Sequence, residues 1–307
     1  MRRLVSWLFT LGVFMIIAIG LWNFKPAWGM FESGYFYIRG LQALDAEDYL
    51  EAQQAFKTSL PHAPIPEEVM AQIAYSNAML KEYQPALDYY WLAVEKNPKH
   101  YTSQVSIARV LWSMGWHSDA LANYERLLQA YPANQPLMVE VADTYYKLAN
   151  ASPESDYCAK ALEYYEQGLQ NQGTKPLQPW LRYAETAYKV GQYDKAFELY
   201  CQIAQNENAP PEALFSFALT MSALRYQNEA KRWMQIAAEE ESAINPELAN
   251  LWARKAMRLE SQQHSSDSTE DQLNALTESQ KSCLSTLDKS PRYQSLAEES
   301  NSKRSTP

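Results

Sequence analysis

Residues 101–132 read YTSQVSIARVLWSMGWHSDALANYERLLQAYP, and the spacing of small, aromatic and proline residues in this stretch decides the fold. Those residues are Ala108, Gly115, Ala120, Tyr124 and Pro132. Similar residues recur 34 positions earlier, at Ala74, Ala86, Tyr90 and Pro98, and 34 positions earlier again, at Gly40, Ala52, Phe56 and Pro64. Self-similarity at a fixed period of this size predicts a repeat solenoid.

This spacing resembles that of the tetratricopeptide repeat, over about residues 33–242. The resemblance implies an all-α fold, a right-handed α-solenoid of about six helix pairs. In each pair, helix A and helix B approach each other where the small residues lie, and the aromatic residue fills the space beside them.

The later repeats keep the pattern with one departure. Small residues recur at Ala184, Ala196, Ala218 and Ala230, but in the fourth repeat Ala161 lies seven positions later than residue 154, where the period places it. Residues 149–157, ANASPESDY, contain the excess and predict a loop between helices A and B. This loop is either a surface insertion or a specificity loop beside the binding face.

Composition supports a helical protein that does not bind nucleic acid. The 307 residues include only 9 glycines, are 47% hydrophobic and carry a net charge of −9. Phosphate binding needs clustered lysine and arginine, so we expect protein rather than nucleic acid as the partner.

No motif for catalysis, a cofactor or a metal is found in the sequence. The four histidines are isolated, and neither a glycine-rich phosphate loop nor a Gly-x-Ser-x-Gly motif is present. Cys158, Cys201 and Cys283 are widely spaced, which matches neither a disulfide framework nor a metal motif. We therefore expect no enzyme activity, and interpret Cys158 and Cys201 as packing residues and Cys283 as a free thiol.

The N-terminal region, residues 1–29, predicts a membrane anchor. Arg2 and Arg3 precede the uncharged run 4–22, which as a helix would cover about 28 Å. The arginine pair places the N-terminus in the cytoplasm and the repeats, residues 33–260, on the far side, the periplasm if the source is bacterial. A cleaved signal peptide, which would leave a secreted protein, is the alternative.

The C-terminal end predicts a capping helix followed by a tail. Asn245 and Pro246 have the properties of an N-cap and a first-turn proline, with Leu248, Leu251, Trp252 and Leu259 on the packing side of the helix. Residues 261–307 contain 12 serines and one aromatic residue, Tyr293, so we expect them to be mostly disordered. Leucine spacing in 269–288 allows a helix that folds on a partner or docks in the groove.

The resemblance also implies that helix A of each repeat lines a concave groove. Its groove positions on this chain give the candidate binding residues Tyr75, Arg109, Trp112, Asp143, Tyr146, Lys147, Glu185, Tyr188, Lys189 and Phe215. Three of them, Trp112, Tyr146 and Tyr188, hold the same position in consecutive repeats and predict an aromatic ladder. The alternative is that these rings pack against neighbouring helices.

These features predict a membrane-anchored, non-enzymatic scaffold that holds a protein or peptide segment in its groove. The layout is similar to that of bacterial envelope repeat proteins, which serve cytochrome c maturation, secretion and pilus or outer-membrane assembly. Three alternatives are a structural subunit that uses the convex face or the tail, a cytosol-facing receptor, and an accessory domain of an enzyme.

Overall fold

The chain divides into two compact units, with the boundary after Pro132. The structure, a computed structural model, describes residues 28–152, 156–170, 176–261, 276–290 and 292–294, without the side chains of 259–261. In that part of the chain, all regular structure is helical, as the all-α prediction requires.

The first unit is a series of helix pairs in which each helix packs on the next. A short 3₁₀ turn, Leu60–His62, follows the first pair. The helices are α1 (28–45), α2 (Tyr49–Ser59), α3 (Pro66–Met79), α4 (Tyr83–Lys96), α5 (Tyr101–Ser113) and α6 (His117–Ala130).

The second unit is also built of helix pairs, and its described residues include two further helices after the last pair. Its helices are α7 (Gln135–Ala151), α8 (Tyr157–Gly168), α9 (Leu177–Lys189), α10 (Tyr193–Ala204), α11 (Pro211–Ala223), α12 (Gln227–Glu241), α13 (Pro246–Ser261) and α14 (Glu278–Asp288).

The small residues of the repeat lie at the contacts between helices, as predicted. A Cβ atom built on Gly40 would lie 2.6 Å from the Phe56 ring, which is itself fully buried. Close helix contacts therefore depend on small side chains at these positions. The fully buried alanines of the pattern are Ala52, Ala74, Ala86, Ala108, Ala120, Ala142, Ala161, Ala184, Ala196, Ala218 and Ala230.

The turns between helices A and B also follow the period. A residue with φ between 58° and 83° ends helix A in five of the pairs: Glu47, Lys81, Gly115, Gly191 and Arg225. At the second of these turns the N–H of Lys81 donates to the Ala78 carbonyl at 3.0 Å, and the N–H of Glu82 donates to the Asn77 carbonyl at 2.8 Å. This pair of bonds is a Schellman motif, which satisfies the last carbonyls of a helix.

The fourth repeat differs from the prediction of a loop over 149–157. Helix α7 continues to Ala151 and so includes the first three of these residues, and Ala149 is buried. Burial of the alanine and continued hydrogen bonding outweigh the turn propensity of the surrounding residues. The insertion therefore lengthens helix A.

The capping helix α13 forms as predicted, with Trp252 on its packing side, but its other packing residues differ from the predicted leucines. The Asn245 side chain accepts a hydrogen bond from the Leu248 N–H at 3.2 Å, which confirms the N-cap. The buried positions are Ala249, Trp252 and Ala256, whereas Leu251 is 60% exposed. Two alanines and the tryptophan between them, at helical spacing, form the packing side of α13. The prediction that Leu251 lies on this side is therefore wrong.

The described residues of the tail, 276–290 and 292–294, pack on earlier helices of the chain. Helix α14 packs against α10, and Thr277 forms a capping box with Gln280 at its start. The Tyr293 ring is buried edge-to-face on Trp233, with 5.0 Å between ring centroids, and its hydroxyl donates to the Ala204 carbonyl at 2.6 Å. The segment thus lies on the B helices α10 and α12, not on the A helices that were expected to line the groove.

Two further contacts fix this C-terminal segment. The Arg292 guanidinium donates two hydrogen bonds of 2.7 Å to the Glu240 carboxylate and others to the carbonyls of Asn206, Glu207 and Ala209. Cys283 forms a disulfide with Cys201, across 82 residues of sequence, while Cys158 stays free. The interpretations of Cys283 as a free thiol and of Cys201 as only a packing residue are therefore wrong, because docking of α14 brings the two sulfurs together.

The predicted membrane span, residues 4–22, lies outside the described residues. Among the helices from residue 28 onward that the structure describes, none is both long enough and apolar enough to cross a bilayer.

Candidate protein-binding face

The candidate residues of the first unit lie on helices α3 and α5. Tyr75 is exposed and meets the Tyr49 ring edge-to-face, with 6.5 Å between centroids. Arg109 is exposed on α5, and Trp112 is half-buried with its ring 4.0 Å from the His117 ring. The predicted residues of this unit are therefore surface or half-buried groups, and Trp112 is supported by the first residue of the following helix.

In the second unit, helices α7 and α9 are joined by three contacts between side chains 39 residues apart. Asp143 pairs with Arg182, Tyr146 with Glu185, and Asn150 with Lys189. The partners recur at three- and four-residue steps on both helices, so one turn of α7 meets one turn of α9 each time. We call this surface, with Lys147 and Tyr188 beside it, the α7–α9 face.

Asp143 is the most buried acid of this face. Its carboxylate accepts hydrogen bonds from the Tyr165 hydroxyl and from Arg182. Burial raises the pKa of Asp143, although the Tyr165 hydrogen bond and the Arg182 charge oppose the shift. This carboxylate is already bound by its own neighbours, so its role on the face is to position Arg182.

The middle contact fixes an aromatic ring. The Tyr146 hydroxyl donates to Glu185 Oε2 at 2.6 Å, and Lys189 Nζ lies 2.7 Å from Glu185 Oε1 and 5.2 Å from the Tyr146 ring centre. Burial, followed by the hydrogen bond to Glu185, raises the pKa of Tyr146 to about 12. The hydroxyl therefore stays protonated as a donor beyond about pH 10, where an ordinary tyrosine ionises. The hydrogen bond and the lysine contact hold the ring in one position.

Tyr188 and Lys147 complete the α7–α9 face. The Tyr188 ring is half-buried and lies edge-to-face on the Tyr193 ring, with 5.3 Å between centroids. Like Trp112, it contacts a ring on the first residue of the following helix, although the Trp112 and His117 rings are tilted at 37°. Lys147 is exposed, and its charge lowers the pKa of Asp143. The Tyr188 ring is packed on one side and accessible on another, so its packing does not exclude a binding role.

Phe215 is covered by the capping helix. Its ring is stacked on Trp252 with 4.6 Å between centroids and 9° between planes, and Lys255 Nζ lies 5.4 Å from the ring centre. Because one face of the ring is occupied by Trp252, Phe215 contributes mainly to the packing of α11 on α13.

One arrangement in the first unit has the residue types of a hydrolase triad. His100 Nδ1 lies 2.8 Å from Ser103 Oγ, and His100 Nε2 lies 3.2 Å from Glu68 Oε2. Ser103 is fully buried, so its hydroxyl is out of reach of a substrate. The three side chains join α3 to the start of α5. In the described part of the chain, no three histidine, cysteine, aspartate or glutamate side chains lie close enough together to hold a metal ion.

Three solved structures share the fold of this chain. PilF of Pseudomonas aeruginosa is 17% identical with a TM-score of 0.56, over 74% of this chain and 97% of PilF. YrrB, a TPR protein with an unusual peptide-binding site, is 16% identical with a TM-score of 0.54, over 67% and 100%. The APC/C hetero-tetramer Cut9–Hcn1 is 17% identical with a TM-score of 0.55, over 74% of this chain and 43% of the matched one.

The fold is that of tetratricopeptide-repeat (TPR) proteins. No protein-family model matches the sequence, and no curated protein matches it either.

Two residues of the α7–α9 face were missed by the sequence interpretation, Arg182 and Asn150. Arg182 does not occupy one of the groove positions that the resemblance implies, and Asn150 lies in the stretch that was predicted to be a loop. The signal that could have found them is the constant separation of 39 residues between polar partners on the two A helices. The Asn150 pair joins this series only when helix A of the fourth repeat is extended through Ala151.

Proposed function

We propose that the chain is a non-enzymatic scaffold that holds a protein or peptide segment on the A helices of its repeats. The observation that carries this proposal is the α7–α9 face, where three cross-helix contacts hold Tyr146, Glu185 and Lys189 in fixed positions. A surface that is ordered before binding loses less entropy when a ligand arrives. YrrB, which shares the fold, has a peptide-binding site.

The chemistry of the α7–α9 face suggests the kind of segment it accepts. Tyr146 and Tyr188 are half-buried rings, and aromatic residues dominate binding hot spots because they give large contact areas at low entropic cost. Lys147 and Lys189 are exposed beside them, whereas Asp143 is largely enclosed by its own partners. An extended or helical peptide with apolar anchors fits this face, with its charged residues setting the register.

We also propose that residues 4–22 anchor the chain in a membrane, with the N-terminus in the cytoplasm and the repeats outside it. The disulfide between Cys201 and Cys283 supports this orientation, because disulfides persist in oxidising compartments such as the periplasm and are rare in the cytosol. The same bond disfavours a cytosol-facing receptor. We propose that the scaffold acts there in envelope protein assembly, secretion or cytochrome c maturation.

Crosslinking from the α7–α9 face tests the binding function. A photo-reactive amino acid at position 188 of the full chain should capture one discrete partner in cells. Tyr188→Ala should weaken capture from position 147 by about 2 kcal/mol, the loss typical of a hot-spot ring. The matched control is Tyr164→Ala, which removes a half-buried tyrosine from the B helix α8 of the same unit and should leave capture unchanged. Equal capture by both variants would contradict the proposal.

The topology is tested with reporter enzymes fused after the last residue. We expect a reporter that is active only outside the cytoplasm to work, and a cytoplasmic reporter to fail. The opposite result would show that the repeats face the cytosol. A mature N-terminus near residue 21 or 30 would show instead that the apolar run is a cleaved signal peptide.

A further inference from the structure

Helix α1 carries an apolar stripe that faces away from the protein. Trp28, Phe31, Tyr35 and Ile38 are 61%, 72%, 59% and 57% exposed. Their spacing of three, four and three residues places them on one face of the helix. At 1.5 Å per residue, this stripe, the α1 stripe, extends about 15 Å along the helix axis.

The opposite face of α1 is fixed by packing, so the stripe is held outward. A Cβ atom on Gly29 would lie 2.8 Å from the His62 ring, and the Ser59 hydroxyl donates to the Ser33 carbonyl at 2.9 Å. Farther along, Gly40 touches the Phe56 ring. These contacts span the helix from its second described residue, and they prevent α1 from rotating to bury the stripe.

No charged residue lies within the α1 stripe. The nearest charges, Glu32 and Arg39, lie along its margin, and Arg39 is paired with Glu51 at 2.7 Å. The end of a soluble solenoid normally has a polar outer face. A contiguous exposed apolar surface is instead typical of a site that another surface covers.

The position of the α1 stripe in the chain indicates what covers it. Only residues 23–27 separate Trp28 from the apolar run 4–22. If that run crosses a bilayer, α1 begins at the membrane surface. Tryptophan and tyrosine side chains favour the boundary between headgroups and acyl chains.

We propose that α1 lies along the lipid surface with the α1 stripe in the headgroup–acyl boundary, so that the first repeat is docked on the membrane. The inference rests on the proposed anchor. It goes beyond the anchor because it fixes the orientation of the first helix pair. An amphipathic helix lying in this plane sinks its apolar face about 5–10 Å into the boundary. An upright helix would immerse Trp28 and leave Ile38 about 15 Å farther out, in water.

Fluorescence quenching in vesicles distinguishes these arrangements. The full chain with Cys158→Ser is reconstituted into phosphatidylcholine vesicles that contain a nitroxide-labelled lipid, and one environment-sensitive dye is attached to a new cysteine. Ile38→Cys reports the stripe, and Val13→Cys reports the apolar run. Leu50→Cys is the matched control, since Leu50 is 54% exposed on the other helix of the same pair. Cys201 and Cys283 stay disulfide-bonded and unlabelled.

We expect the nitroxide lipid to quench the dyes at positions 13 and 38, and not the dye at position 50. Adding Trp28→Ser and Phe31→Ser should remove the quenching at 38 and leave it at 13. If the dye at position 13 is quenched but the dye at position 38, like that at position 50, is not, the docking of α1 is wrong and the membrane anchor is retained. Protection of position 38 from a water-soluble quencher without lipid quenching would also overturn it, because a protein surface would then cover the stripe. No quenching at 13 would refute the anchor itself, and the docking with it.

Discussion

At the scale of single residues, the contact of Gly40 with Phe56 makes a direct prediction. Gly40→Ala places a methyl group against the Phe56 ring, which is fully buried. The free energy of unfolding should therefore fall by about 1–3 kcal/mol. Gly34→Ala is the matched control on the same helix, where a Cβ atom meets nothing within 4 Å. Gly34→Ala should instead raise the free energy of unfolding by up to about 1 kcal/mol, because alanine favours a helix more than glycine does. Urea unfolding of both variants measures the difference, and equal stabilities would show that α1 does not approach α2 this closely.

Single residues also show where sequence reasoning succeeds and fails. Ala120 and Ala196 could be predicted as contact residues because the period repeats a local requirement, a small side chain between two backbones. The bond from Cys283 to Cys201 could not be predicted, since it depends on where α14 docks and no spacing in the sequence encodes that contact. Leu251 was misplaced because a hydrophobic residue near a helical stripe is not always within it.

At the scale of elements, the Schellman turns predict opposite effects at equivalent positions. Lys81 has a φ of 64°, a conformation that costs a residue with a Cβ about 1–2 kcal/mol. Lys81→Gly should raise the free energy of unfolding by about 0.5–1 kcal/mol, after the added flexibility of the unfolded chain is subtracted. Gly115→Ala, at the same place one period later, should lower it by about 1 kcal/mol or more. The same sign for both variants in thermal melts would be incompatible with a shared turn geometry.

The C-terminal segment is an element that the protein's stability should depend on. Cys283→Ser opens a loop of 82 residues and should lower the free energy of unfolding by about 2–4 kcal/mol. Cys158→Ser, which removes the free thiol, should have little effect. Melting under non-reducing conditions compares the two, and addition of a thiol reductant should lower the melting temperature of the wild type only to that of Cys283→Ser. An unchanged melt for Cys283→Ser would mean that the disulfide contributes nothing to folding stability.

Helix boundaries mark the limit of sequence reasoning at this scale. The pairs α3–α4 and α5–α6 could be read from the period, because each turn and each close contact recurs after 34 residues. The fourth repeat could not, because the polar residues and the proline of 150–156 favour a turn, whereas packing of Ala149 favours another helical turn. That extra turn supplies Asn150 to the α7–α9 face, so an error in one boundary concealed part of the candidate site.

At the scale of the whole molecule, the buried tyrosines predict how stability depends on alkaline pH. Burial is the first cause that raises the pKa of Tyr146, Tyr183 and Tyr293 to about 12, and it also raises the pKa of Tyr165 and Tyr200. The folded protein therefore keeps protons that the unfolded chain releases above its ordinary tyrosine value of about 10. The stability these groups contribute is complete below about pH 10 and is lost as the pH rises through about 12.

Tyrosinate absorbance and circular dichroism, followed together, check this prediction. Exposed tyrosines should titrate near pH 10, and a second group should titrate later, together with the loss of helix. Titration of all the tyrosines in one step near pH 10, with the helices intact, would show that these rings are not enclosed.

The bond between Cys201 and Cys283 has one more consequence, for the connectivity of the chain. The residues between the two sulfurs form a closed covalent ring that holds the last helix pair and the capping helix. A protease that cuts once inside this ring linearises it without releasing a fragment. After limited digestion in that interval, the protein should migrate as one species on a non-reducing gel and separate into two pieces once the sample is reduced.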